Sequence, residues 1–382
     1  MVMEHHSTGV RGYPIDVVRR LVAALQTDSV ESSAAATTEP ATVFTDVDRW
    51  HRERHQFFRR RPQVIGWEGE LRKPNSYITR DIDGIQVVVT RADDGVIRAF
   101  KNACTHRGAQ VAHGCGEARR LTCPYHAWSF DLTGELAGLP GAWGFDNIDR
   151  ATLSLEPLPV AVRAGLICVG PESDVDPTTA LEGIEEHMQW CDYSNVDLVA
   201  TRRFVLQCNW KIAVDVNLEV YHVAALHRQT LEPMIPFNAI HDSFGLHSRW
   251  AFPLRSMSTM VDQPESEWPE VAPLSLVHVL FPGTVILETP VSSQMFRIQP
   301  GRHVGESIVD LTDVSLQPMA DESEREMRMA GFEFACKVVG EEDFPAAEQC
   351  QKGAESGLSR FVFGRHEPMV QHWHRVWNEQ LV

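Results

Sequence analysis

Cys104-Thr105-His106 and Cys123-Pro124-Tyr125-His126 each pair a thiol with an imidazole at close range, CxH in the first stretch and CxxH in the second. Four such ligands suit either a zinc ion or an iron–sulfur centre. Structural zinc fingers usually bring two cysteines on one knuckle and two histidines on a helix. Here each stretch contributes one of each, among turn-rich segments. That order suits a [2Fe–2S] centre in which one iron takes both cysteines and the other both histidines. Zinc stays as the second reading.

A second set lies downstream, where Asn209-Trp210-Lys211 is followed by Asp215, Asn217, Glu219, Tyr221, His222 and His227. Five residues separate the two histidines, about 140° around a helix at ~100° per residue. They cannot share a face of a regular helix, so a bulge or helix end is predicted between them. Taken alone, the pair also reads as two core histidines. One carboxylate would complete the two-histidine, one-carboxylate triad of non-haem Fe(II) oxygenases. Glu341-Glu342-Asp343-Phe344-Pro345 offers candidates, although spacing alone leaves Asp343 one acid among many.

The elements around these residues change in texture along the chain. Residues 13–26 carry Ile15, Val18, Leu21, Val22 and Leu25 on one helical face, and 27–42, rich in Ser, Ala and Thr, reads as a linker or loop. Residues 46–60 return to a helical pattern. From about Gln63 short β-rich runs alternate with the turn signals Asp83-Gly84 and Asp93-Asp94-Gly95, which makes an all-β domain of the first ligand set. Beyond it, helices are predicted over 180–190, 210–226, 322–337 and 371–379, with strands over 199–206, 275–281, 284–287, 294–298 and 307–316. The expected division is 1–50 as a helical segment and linker, 51–172 as the all-β domain and 173–382 as an α+β domain with room for a pocket.

The chain has 382 residues, a net charge of −17 and 43% hydrophobic residues, which fits a globular protein with a sizeable core. So acidic a chain argues against nucleic acid or an anionic membrane as partner. No apolar run approaches the ~18–20 residues of a membrane span. Residues 1–11 lack the apolar stretch of a signal peptide. Cys115, Cys168, Cys191, Cys208, Cys336 and Cys350 read as free thiols, and a cytoplasmic location is expected.

With Arg107-Gly108 after the first loop and Ala127-Trp128 after the second, the first set resembles the Rieske domains of ring-hydroxylating oxygenases. Respiratory Rieske proteins add a disulfide-forming cysteine to each loop; here Ala109 and Tyr125 stand there. Tyr125 is expected to donate a hydrogen bond toward the cluster. The NWK…ExYHx4H stretch, and an acidic stretch similar to the family's EDx4ExxQxG signature, extend the resemblance over roughly residues 50 to 375 to the α subunit of the Rieske non-haem iron oxygenases.

The resemblance implies an all-β Rieske domain ahead of a helix-grip (START-like) catalytic domain. It implies a [2Fe–2S] cluster on Cys104, His106, Cys123 and His126, and a mononuclear Fe(II) on His222, His227 and Asp343, with Glu342 as the fallback ligand. It also implies a homotrimer, or a hexamer with β subunits, in which Glu219 links His222 to His126 of a neighbouring chain. Electrons come from NAD(P)H through a separate flavin reductase, directly or by way of a ferredoxin.

Two departures bear on substrate. Glutamate at the bridge is more typical of relatives that oxidise quaternary amines than of ring hydroxylases, and Asn217 stands at a commonly aromatic position. By family frequency, ring hydroxylation is expected first and demethylation or C–N cleavage of a carnitine-, betaine- or choline-like amine second. A Rieske electron carrier with a ligand-binding domain is the rival of another class. Trp250, Phe252, Phe281 and Phe296 are expected at the pocket, with Arg249, Arg255 and Arg297 as possible substrate contacts.

Overall fold

The computed structural model describes residues 12–382; the 1–11 stretch, on which the export reading rests, lies outside them. Contacts divide the chain into two units, Arg54–Leu181 with Tyr193–Val196, and Met1–Glu53 with Glu182–Asp192 and Asp197–Val382. Residues 12–53 therefore belong to the larger unit, and the smaller unit extends past the boundary expected at 172.

The smaller unit is built from antiparallel strands. Five pair in the order Pro157–Leu158, Ile97–Lys101, Ile85–Arg91, Ser76–Ile82, Cys115–Glu117. Asp83 and Gly84, both at positive φ, make the two-residue turn that joins Ser76–Ile82 to Ile85–Arg91. Two three-stranded sheets complete the unit. The one formed by Leu121–Thr122, Ser129–Phe130 and Leu136–Gly138 shares a core with the other cysteine loop, in which Cys104, Cys123, Trp128, Phe130 and Phe100 pack together.

The larger unit centres on a seven-stranded antiparallel sheet, ordered Asp197–Leu206, Ser307–Ser315, Ser292–Pro300, Thr284–Glu288, Leu274–Leu280, His247–Pro253, Ile240–Phe244. The last two strands were not anticipated. C-terminal helix Pro368–Gln380 seats Trp373 and Trp377 at full burial, with their indole N–H groups on the Ser248 hydroxyl (2.8 Å) and the Pro282 carbonyl (3.1 Å). Sheet and helices together match the helix-grip expectation.

Helix Ile15–Gln26 lays Val17, Val18, Leu21 and Val22 on Ile240, Ala251, Leu274 and Leu276. Part of the expected linker is ordered: Thr37–Pro40 pairs with Arg360–Phe363, and buried Glu39 accepts from Asn378 (3.0 Å). Backbone pairing needs no apolar side chains, so composition hid it. The helix expected over 180–190 is instead a series of turns with one short 3-10 turn, Glu185–His187. Gly183 at φ +89° interrupts it.

The expected 210–226 helix is also divided, into Trp210–Asp215 and Val223–Leu226. Asn209 caps the first piece through the Lys211 amide (3.1 Å). Lys211, fully buried, donates to the equally buried Glu53 (2.5 Å), which also accepts from Arg49 and from the Trp210 indole. Neither charge is tenable in the interior without the other. This pair ties the segment ahead of residue 54 to the helix that leads into the histidines.

Candidate functional site

The two cysteine loops have the same backbone shape. In each, the amide four residues on returns to the cysteine carbonyl, Gly108 to Cys104 (2.8 Å) and Ala127 to Cys123 (3.1 Å). In each, that fourth residue is left-handed, Gly108 at φ +80° and Ala127 at +57°. The cysteine amides close the loops on the carbonyls of Ala109 and Trp128, both at 2.8 Å. The cysteines are thereby buried, while His126 is exposed and His106 half-buried.

His106 lies 4.6 Å from His126, centroid to centroid, and stacks on Trp128 at 4.9 Å. Burial pushes the Cys104 thiol up, and neighbouring Cys123 adds to this. The His106 Nδ1 is buried and has no hydrogen-bond partner. Two adjacent buried thiols and an orphaned imidazole nitrogen fit a centre that binds both residue types. The Tyr125 ring stacks on His126 at 3.8 Å, and its hydroxyl accepts from Arg107 (3.3 Å), which leaves its own O–H free to donate.

In the larger unit, potential ligand atoms of His222, His227 and Asp343 lie within 4.8 Å of one another. His222 precedes and His227 follows the single turn Val223–Leu226, so a helix end lies at each. Asp343 closes a π-helical turn, Val339–Asp343, between Glu322–Val338 and Phe344–Glu355. Pro345 has no N–H to return to the Glu341 carbonyl, so the regular pattern breaks there.

Both Nε2 atoms face the same carboxylate oxygen. Asp343 Oδ1 is 3.0 Å from His227 and 3.5 Å from His222. Both Nδ1 atoms meet other carboxylates, His222 on Glu219 and His227 on Glu342, each at 2.5 Å. Glu219 also accepts the His222 amide (3.0 Å), and Thr230 donates to Glu342 (2.8 Å). Each imidazole is therefore held in the tautomer that leaves Nε2 free for a metal. The donor set fits the facial triad. Glu342, the fallback candidate, holds His227 Nδ1 and is not among the three converging groups; its adjacency to Asp343 was the available signal.

Burial lowers the pKa of the His227 imidazole, but its bonds to Asp343 and Glu342 outweigh that and leave it raised above the ordinary 6.5. A protonated histidine cannot ligate, so Fe(II) competes with a proton there. Fe(II) affinity, followed by titration calorimetry, is expected to fall as pH drops through the neutral range. In Glu342→Gln that fall should move to lower pH. At higher pH the variant should bind iron about tenfold more weakly than the parent.

The triad opens on a cavity of about 550 Å³. Trp250, Phe252 and Phe296 line it as expected, whereas Phe281 does not and stacks near Trp373. None of the three arginines singled out lines it; Arg249 pairs with Asp242 (2.7 Å) and Arg255 with Glu232 (2.6 Å). Arg328 and Asp313 line it instead. Among the described residues, no helix is long and apolar enough to cross a membrane.

Comparison with known proteins agrees with this architecture. Residues 61–148 match the Rieske [2Fe-2S] domain, and residues 188–382 match the ring hydroxylating alpha subunit (catalytic domain). The carnitine monooxygenase oxygenase subunit of Acinetobacter baumannii is 33% identical over 207 residues, which span 53% of this chain and 56% of that protein. The match thus covers little more than half of either. The Escherichia coli K12 protein of the same name is 27% identical over 361 residues, 89% of this chain and 93% of the other. A solved quaternary ammonium Rieske monooxygenase, whose structure concerns carnitine oxidation and inter-subunit electron transfer, shares the fold. Its TM-score is 0.76 at 20% identity, over 98% of this chain and 100% of the other. Two metal centres, a [2Fe–2S] cluster and a mononuclear iron, go with these domains. The chain belongs to the ring hydroxylating alpha subunit family, the Rieske non-haem iron oxygenases.

Proposed function

We propose that this chain is the terminal oxygenase of a multicomponent Rieske system that oxidises a quaternary amine of the carnitine, betaine or choline class. In this reading His222, His227 and Asp343 hold the mononuclear Fe(II), and Cys104, His106, Cys123 and His126 hold the cluster. The observation that carries the reaction type is the convergence of three ligand atoms on the wall of a largely apolar cavity. Glu219 on His222 and the names of the two bacterial relatives support the substrate class. Ring hydroxylation, placed first by family frequency, gives way to it. An electron carrier needs no second ligand set, which counts against the rival of another class.

When bound, the iron supplies dioxygen activation at coordination positions the three side chains leave open. The protein's own residues orient and exclude. Glu219 and Glu342 fix the two imidazoles, while Leu231, Val277 and Leu287 keep the cavity dry around the substrate. The electron donor is a separate reductase, with or without a ferredoxin, and the assembly a homotrimer or α3β3 in which the partner's Rieske histidine reaches Glu219.

Hydroxylation of a carbon next to nitrogen uses O2, two electrons and two protons, and releases one water. The carbinol then loses its hydroxyl proton as the C–N bond breaks, giving a carbonyl compound, a free amine and H+. With a surrogate reductase, carnitine, glycine betaine and choline are to be compared with benzoate and biphenyl for O2 uptake and amine release. One of the amines is expected to stimulate both. Turnover of an arene, with none of the amines active, would overturn the reading.

A further inference from the structure

The cavity wall carries one acid that the metal chemistry does not use. Strand register sets Asp313 beside Gln294, Gln294 beside Leu287, Leu287 beside Val277, and Val277 beside Trp250. These five form a single cross-strand row, and all line the cavity. Asp313 is the only ionisable member of that row. It is 3% exposed, and its Oδ2 accepts from Gln294 Nε2 (2.8 Å). Its Oδ1 is buried without a hydrogen-bond partner.

An ionised carboxylate with a dry, unused oxygen is costly unless something positive comes to it. The charge that faces it from helix Glu322–Val338 is Arg328, which donates from its two terminal nitrogens to the Val291 carbonyl (2.8 Å) and Glu324 (2.9 Å), while its buried Nε has no partner and makes no hydrogen bond to Asp313. Cys336, on the same helix, is the other titratable neighbour. Burial pushes Asp313 up to about 6, although Gln294 and Arg328 pull the other way.

We propose that Asp313 is a specificity-determining residue, the counter-charge that selects a permanently cationic nitrogen for this cavity over a neutral group of the same shape. The inference rests on the proposed function and adds the recognition element. A primary amine would tend to shed its proton in such surroundings, whereas a quaternary nitrogen cannot. Its methyl surface suits Leu287, Val277 and Phe296, and its charge needs no directed N–H to reach Asp313.

Binding is to be measured by calorimetry on the holoenzyme with choline or carnitine, each against its tert-butyl carbon isostere, which has the same shape and lacks the positive charge. D313N is expected to weaken amine binding at least about tenfold, with the isostere bound equally well or better and iron and sulfide unchanged. In the unsubstituted protein, amine affinity should fall as pH drops through about 6, where Asp313 protonates, while the isostere is unaffected. That second measurement stands even if D313N fails to fold. Equal loss of both ligands in D313N, or amine affinity that ignores pH, overturns the assignment. If the unsubstituted protein binds neither amine yet binds an arene, the proposed function falls along with the role of Asp313. Tight amine binding that D313N leaves intact removes only the latter.

Discussion

Replacing His222 with alanine is expected to remove the mononuclear iron and leave the cluster. Anaerobically purified parent protein should carry about three irons and two acid-labile sulfides per chain, and the variant about two of each. The reduced Rieske signal in electron paramagnetic resonance should be the same in both. Substrate-dependent oxygenation should fall below detection in the variant. The reason is geometric: with the His222 Nε2 gone, His227 and Asp343 remain as two ligands, too few to hold the ion. His222 is part-exposed on the cavity wall, so alanine should not undermine the fold. Oxygenation that persists with an unchanged cluster would place the chemistry somewhere other than this triad.

Glu219→Gln separates positioning from ligation. The glutamine oxygen can still accept from His222 Nδ1, which keeps that ring oriented, while the second carboxylate oxygen, which takes the His222 amide, is lost; both metals should stay bound. What disappears is the negative charge that polarises the imidazole and, in the proposed assembly, draws the partner's Rieske histidine to it. Turnover is expected to drop about 100-fold. Stopped-flow reoxidation of the reduced cluster should slow in parallel, a readout that a merely structural role would leave alone. Glu219→Asp, which keeps the charge, should recover part of the rate. Loss of iron with cluster reoxidation unaffected would make Glu219 a ligand support and nothing more.

Much of this site was legible along the chain because its groups come in short, ordered runs. Cys104-Thr105-His106 and Cys123-Pro124-Tyr125-His126 are local loops, and spacing within a loop is spacing in space. The angle argument for His222 and His227 required a helix end, and a single turn lies between them. Glu342 was harder to read. Its role depends on which of two adjacent acids points inward, and a π-helical turn that no propensity announces decides it. Asp313 left a signal that was missed: it is in phase with Val309 and Leu311, so it shares their inward face, while Asp310 turns away to pair with Arg203 (2.6 Å).

The sequence by itself determined ligand types, their order and the two kinds of metal chemistry, since these follow from side-chain identity and local spacing. It also placed most of the strands through their alternation. Only the tertiary structure decided which carboxylate faces Nε2 and which holds Nδ1, that the strand Thr37–Pro40 is paired, and that one acid in the cavity wall keeps a buried oxygen without a hydrogen-bond partner. Those outcomes depend on the register of strands far apart in sequence and on helix irregularities. Both are settled by packing and by satisfaction of backbone hydrogen bonds, which no single stretch of residues encodes.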